Sequence, residues 1–286
     1  MRDFTTNHSA LALNTATLGH NLDGHGAGWP VERVLDACAE RGIRGIVFWR
    51  REIGSRAIEI GGRVRAAGLN VVGLCRAPYL AGPLALPDRE AIMDDFRAAI
   101  DMAAGLGAPV LTIVCGGVEP GTKGLGESLK LVADRVAEAA SYAAAANVRL
   151  AIEPLHPVYG GDRSCLVTMR DAVDLCLAIE APNVGVAVDV YHVWWDRTLA
   201  DELLRAGPKR IFGYHLCDWL AQTRDVLLDR GMMGDGVANL KAIRAAVEAA
   251  GYAGPCEVEV FSAQNWWRRD PADVLDACVE RFRSVC

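Results

Sequence analysis

Four apolar runs in this chain each finish on a side chain able to hold a metal ion. The stretch 149–157 reads RLAIEPLHP. Leu150 and Ile152 alternate with Ala151 and Glu153, and Pro154 stops the run, which is the pattern of a short buried strand ending on a glutamate. A carboxylate in so apolar a segment is costly unless a metal, an arginine or a solvent-filled mouth compensates its charge. The arrangement recurs in VGVAVDVYH, which ends near Asp189, in IFGYHLCDW, which carries His215, and in PCEVEVFS, which carries Glu259. Three carboxylates and one imidazole, with no thiolate, favour one hard or borderline divalent cation. Mn²⁺ comes first, and Mg²⁺, Co²⁺ and Zn²⁺ are also admissible.

Each residue also has a plainer reading. Glu257, two positions before Glu259 and on the same face, is an alternative ligand. Asp189 can cap the loop that follows it, a common task for aspartate. His215 alone reads as a satisfied core histidine. Recurrence in four consecutive units at matching depth favours the metal.

The elements that must position these residues follow from periodicity. Strands are expected over 10–13, 45–49, 69–75, 110–115, 149–153, 184–190, 211–216 and 256–261. Helical spacing follows each strand: Pro30 opens the first helix, 52–67 forms the second with Gly61 and Gly62 inside it, and Asp88 caps the third. An alanine-rich helix runs to about 146, others cover 168–180, 199–206 and 239–250, and Asp270-Pro271 opens the last. Eight strictly alternating strand–helix pairs with no linker composition predict one (β/α)8 TIM barrel, a single domain over 1–286. In such a barrel the strand C-terminal ends share one mouth. Glu153, Asp189, His215 and Glu259 then sit on four adjacent tips.

Bulk composition narrows the function classes. With 51% hydrophobic and 23% charged residues, 286 residues supply a large core and no sign of disorder. A net charge of −6 argues against nucleic acid, and no run approaches a membrane span. Nine scattered cysteines without a CxxC read as reduced thiols, and MRDFTTNHSA lacks the apolar core of a signal peptide, so a cytoplasmic location is expected.

The order Glu, Asp, His, Glu on strands five to eight, with EPLHP, DVYH, HLCDW and the tract GMMGDG, resembles the xylose isomerase-like barrel superfamily, the sugar phosphate isomerase/epimerase family, over essentially the whole chain. The resemblance implies a divalent metal on Glu153, Asp189, His215 and Glu259, and a keto- or aldo-polyol substrate. In the family's ketose 3-epimerases a substrate-touching glutamate lies six positions after the first ligand; here that place is Tyr159. Their histidine three after the aspartate is matched by His192. Their arginine six after the histidine falls at Ala221, with Arg224 close by.

A metal on a ketone oxygen and its neighbouring hydroxyl stabilises an enediolate. Glu153 and Glu259 then act as base and acid on opposite faces of the substrate. Reprotonation on the opposite face gives epimerisation, and at the neighbouring carbon aldose–ketose isomerisation. With a leaving group in the β position the same platform is a lyase or dehydratase, the alternative function. Other expected substrate contacts are His156, His192, Arg224, Trp49 and Arg76, with Trp194, Trp195, Trp266, Trp267 and Lys123 as weaker candidates. The tryptophan-rich loops and the resemblance suggest a homo-oligomer, a dimer or tetramer.

Overall fold

Eight parallel strands close on themselves in sequence order in the computed structural model, which describes residues 2–286. They are β1 Leu11–Asn14, β2 Gly45–Trp49, β3 Asn70–Cys75, β4 Val110–Val114, β5 Arg149–Glu153, β6 Val184–Asp189, β7 Ile211–Leu216 and β8 Cys256–Val258. β1 pairs with both β2 and β8, so no strand edge is left open. The strand interiors are mostly apolar because both faces are covered, one by the barrel interior and the other by the helical ring, and polar residues gather at the strand ends. The chain forms a TIM barrel.

The outer helices begin where the sequence places caps. Asp88 accepts from the Ala91 amide ahead of Arg89–Leu106, and Thr168 from Asp171 ahead of Met169–Ile179. Asp270 accepts from Ala272 with Pro271 in the first turn. The helix expected over 52–67 is instead two: a single turn Arg50–Ile53 and, after Gly54 at φ 52°, Ala57–Ala66. Gly61 and Gly62 do not interrupt it. Gly61 lets the helix lie against its neighbour, where a Cβ would meet the Leu106 carbonyl at 2.3 Å. β8 stops at Val258, three residues short of expectation, so Glu259 sits just past the strand end. Among the described residues no helix is long and apolar enough to cross a membrane, and all nine cysteines are buried and unpaired.

Strand register sets the height of the polar tips. Asp189 on β6 lies opposite His215 on β7, and His215 opposite Glu257 on β8. Leu13 on β1 pairs with Val258, which places Asn14 level with Glu259. The C-terminal ends of β1 and β5–β8 therefore converge at one depth.

Candidate metal centre and substrate cavity

Glu153, Asp189, His215 and Glu259 each bring a ligand atom within 4.8 Å of the others, and all four are buried. His215 lies between two carboxylates, with Nδ1 2.8 Å from Glu153 Oε1 and Nε2 3.3 Å from Glu257 Oε2. Burial alone would lower its pKa, but Glu257, Glu153 and Glu259 outweigh burial and raise it well above the ordinary value. Two ring nitrogens facing two carboxylates suit an imidazolium. Glu257, the alternative ligand read from the sequence, is thus part of the cluster.

Two further residues that sequence reasoning missed hold the carboxylates. Asn14 Nδ2 donates to Glu257 Oε1 at 2.6 Å and Glu259 Oε1 at 2.8 Å, while its Oδ1 accepts from Trp49 Nε1 at 2.9 Å. Arg230 Nη1 donates to Asp189 Oδ2 at 3.1 Å and Glu259 Oε2 at 3.2 Å. Its guanidinium is sandwiched between Tyr191 and Phe261, at 4.4 and 4.3 Å from their ring centres. Asn14 carried the same signal as the other tips, a polar residue closing the apolar run LALN. Arg230 lies in an irregular loop with no periodicity to mark it.

That loop is pinned on both sides of Arg230. The Arg230 amide donates to the Phe261 carbonyl at 2.8 Å, and Gly231 and Asp218 exchange backbone hydrogen bonds of 2.9 and 2.8 Å. Beyond, the Asp218 carboxylate accepts from the amides of Gly234, Gly236 and Ala238 at 2.9–3.0 Å. The GMMGDG tract is therefore a backbone cradle for Asp218 that fixes where Arg230 enters the mouth. Gly236 permits it, since a Cβ there would stand 2.1 Å from the Trp219 carbonyl.

The electrostatics of the cluster follow from burial. Glu259 is pushed up to about 8, chiefly by burial and then by Glu153 and Asp189, against the pull of Arg230 and His215. Burial, helped by Arg230, pushes His192 down to about 3 against the attraction of Asp189, so it is neutral. Its Nδ1 accepts from the His156 amide at 3.2 Å. Among the described residues, four buried carboxyl groups, counting Glu257, face two cationic partners, the Arg230 guanidinium and the His215 imidazole, with neutral His192 beside Asp189. Carboxyl groups buried and crowded closely enough to hold protons, in an oxygen-rich donor set with one imidazole, fit a divalent cation in place of those protons.

A cavity of about 520 Å³ opens above the cluster, large enough for a sugar. Of the four ligand candidates only Glu153 and Glu259 reach its wall, beside His192, Arg230, Trp49 and Arg76. Tyr159, the residue at the place of the family's glutamate, also lines it and donates its hydroxyl to the Val226 carbonyl.

Two expected substrate contacts are not on that wall. Arg224 is turned outward and held by Asp229 through Nε at 2.9 Å and Nη2 at 2.7 Å; the arginine in the mouth is Arg230. His156 stacks on Trp219 at 4.5 Å and meets Trp195 edge-on, so it braces His192 from behind. None of the weaker candidates lines that wall either. Trp195 and Trp267 donate to the His192 and Ala16 carbonyls, Trp266 donates to Asp235, Trp194 packs on Trp219, and Lys123 is exposed.

A model of the xylose isomerase-like TIM barrel family matches residues 35–284. An inosose isomerase from Bacillus licheniformis is 27% identical over 181 residues, 61% of this chain; the match spans 62% of that relative's length. A protein from Sinorhizobium meliloti known by crystal structure is 44% identical, with a TM-score of 0.89 over 98% of this chain and 99% of that one. The crystal structure of IolI protein with a bound zinc atom, 18% identical, shares the fold with a TM-score of 0.80 over 96% and 97% of the two chains.

Proposed function

Since the chain belongs to the xylose isomerase-like TIM barrel family, we propose that it is a metal-dependent isomerase or epimerase of a keto- or aldo-sugar or cyclitol. One observation carries this reading: of the four buried ligand candidates, Glu153 and Glu259 alone open onto the sugar-sized cavity, from strand ends three units apart. The similarity to an inosose isomerase supports a polyol substrate.

Asp189 and His215 lie behind the cavity wall and serve to hold a divalent cation, manganese first among those the donor set admits, together with Glu153 and Glu259. When bound, that cation supplies Lewis-acid polarisation of a carbonyl. Glu153 takes a proton from the carbon beside the carbonyl, and Glu259, approached from the other side, returns one. A positioned acid or base of this kind contributes about 10²–10⁴-fold. Arg230 presents its guanidinium to substrate oxygens beside Glu259, neutral His192 packs against it on the same wall, and Trp49 and Phe261 give an apolar wall for the carbon skeleton.

The test is a panel of ketoses, aldoses and inososes incubated with the manganese-loaded protein in deuterated water. Deuterium is expected at one carbon next to the carbonyl, with no group lost, and its uptake should vanish in Glu153→Gln. Loss of water or another leaving group would identify elimination instead. Exchange that is unchanged in Glu153→Gln would refute the assignment.

A further inference from the structure

The cation cluster occupies the β5–β8 side of the mouth, and the opposite side, at the ends of β2 and β3, has the reverse character. Arg76 leaves the tip of β3, stacks on Tyr79 at 3.7 Å, and donates through Nη1 to the Ala77 carbonyl at 3.0 Å. Among the described residues it forms no ion pair. Burial pushes its pKa below the ordinary value against the opposing pull of Tyr79 and Cys75, and the nearby Arg163 and Arg50, both of its own sign, add smaller pushes downward. Arg163 reaches Tyr79 Oη at 3.2 Å, and its one ion-pair partner among the described residues is the half-exposed Asp162 at 3.5 Å.

Arg50, at the end of β2, does not relieve this crowding. Its two Nη atoms take both oxygens of Asp95, at 2.9 and 2.6 Å, so the nearest acid on that wall is already engaged. Its Nε is buried without a hydrogen-bond partner among the described residues. The whole cavity wall carries five arginines, with Arg51 and Arg230, against three carboxylates, and two of those are Glu153 and Glu259 of the cation cluster. A basic wall in a chain of net charge −6 is not a bulk property. Guanidinium groups drawn together out of water repel one another unless an anion lies among them, and their planar forks match phosphate or carboxylate oxygens.

We propose that the β2–β3 side of the mouth is an anion subsite built from Arg76, Arg163 and the free edge of Arg50, and that the substrate carries a phosphate or carboxylate at the end remote from its carbonyl. This rests on the sugar isomerase reading for the substrate's other half. A polyol carbonyl at Glu153 and Glu259 and an anionic terminus at Arg76 place the molecule across the mouth in one orientation. A neutral sugar would fill the same cavity and leave Arg76 uncompensated.

The test is direct binding, by calorimetry, of D-fructose, D-fructose 6-phosphate and 5-keto-D-gluconate to the wild type and to Arg76→Gln, Arg163→Gln and Glu153→Gln. At least one anionic sugar should bind tenfold or more tighter than D-fructose, and which one does so separates phosphate from carboxylate. That preference should fall to within about twofold in Arg76→Gln and shrink in Arg163→Gln, both checked for native circular dichroism. It should survive in Glu153→Gln, whose loss is in proton exchange, so a failed isomerase reading and a failed anion subsite give different results. Equal binding of neutral and anionic sugars, no binding of either, or a preference untouched by both arginine variants would overturn the proposal.

Discussion

Arg230 Nη1 lies 3.2 Å from Glu259 Oε2 and 3.1 Å from Asp189 Oδ2, so a single guanidinium ties β6 to the chain just past β8. It does so from a loop anchored by Phe261 and Asp218. All three residues are buried, so the pairing is strong only while both signs are present.

Arg230→Ala should therefore destabilise the metal-free protein by about 3–5 kcal/mol, the usual effect of removing one partner of a buried pair. A bound divalent cation neutralises the same two carboxylates. The loss should accordingly be smaller in the presence of Mn²⁺. Urea denaturation of wild type and variant, with chelator and with metal, checks this; equal losses in both conditions would contradict it.

Asn14 is expected to act on Glu259, and on its neighbour Glu257, from the opposite side. Asn14→Leu keeps the volume but takes the donor from Glu257 and Glu259 and the acceptor from Trp49 Nε1. Leaving such groups unpaired costs about 1–3 kcal/mol each. A fall in denaturation midpoint with a lowered kcat is expected. Activity equal to the wild type would show that Glu259 needs no such support.

The pH dependence follows from Glu259. Its folded pKa of about 8 stands above its ordinary 4.5, so the folded chain keeps a proton that the unfolded chain releases. That contribution to stability is complete below 4.5 and is lost as pH rises through about 8. A cation competes with that proton for the Glu259 oxygen, and with the proton that neighbouring carboxylates hold on His215 for the ring nitrogen. Apparent Mn²⁺ affinity should rise from pH 6 to pH 8 with release of protons, read by calorimetry in buffers of different ionisation enthalpy. Affinity independent of pH would contradict this.

The eight-unit barrel was legible because each strand is an apolar run closed by proline, glycine or a polar residue, and each helix shows one apolar stripe. The four ligand candidates were legible for the same physical reason: a charge at the end of a buried run needs compensation. Arg230 was not, since its position depends on backbone hydrogen bonds from Asp218 and Phe261 that have no period in sequence. Arg224 lies near Ala221, where the family resemblance puts an arginine, yet Asp229, five residues on, holds it at the surface. The second helix broke at Gly54 rather than at Gly61 because Gly54 takes a positive φ, whereas Gly61 stays helical and serves close packing.

The central claim, one divalent cation held by Glu153, Asp189, His215 and Glu259, is tested most directly by calorimetric titration of Mn²⁺ into chelator-stripped wild type and His215→Ala. One equivalent should bind the wild type, and His215→Ala should bind at least a hundredfold more weakly while keeping its circular dichroism. Equal stoichiometry and affinity in the two proteins would place any metal elsewhere and contradict the account.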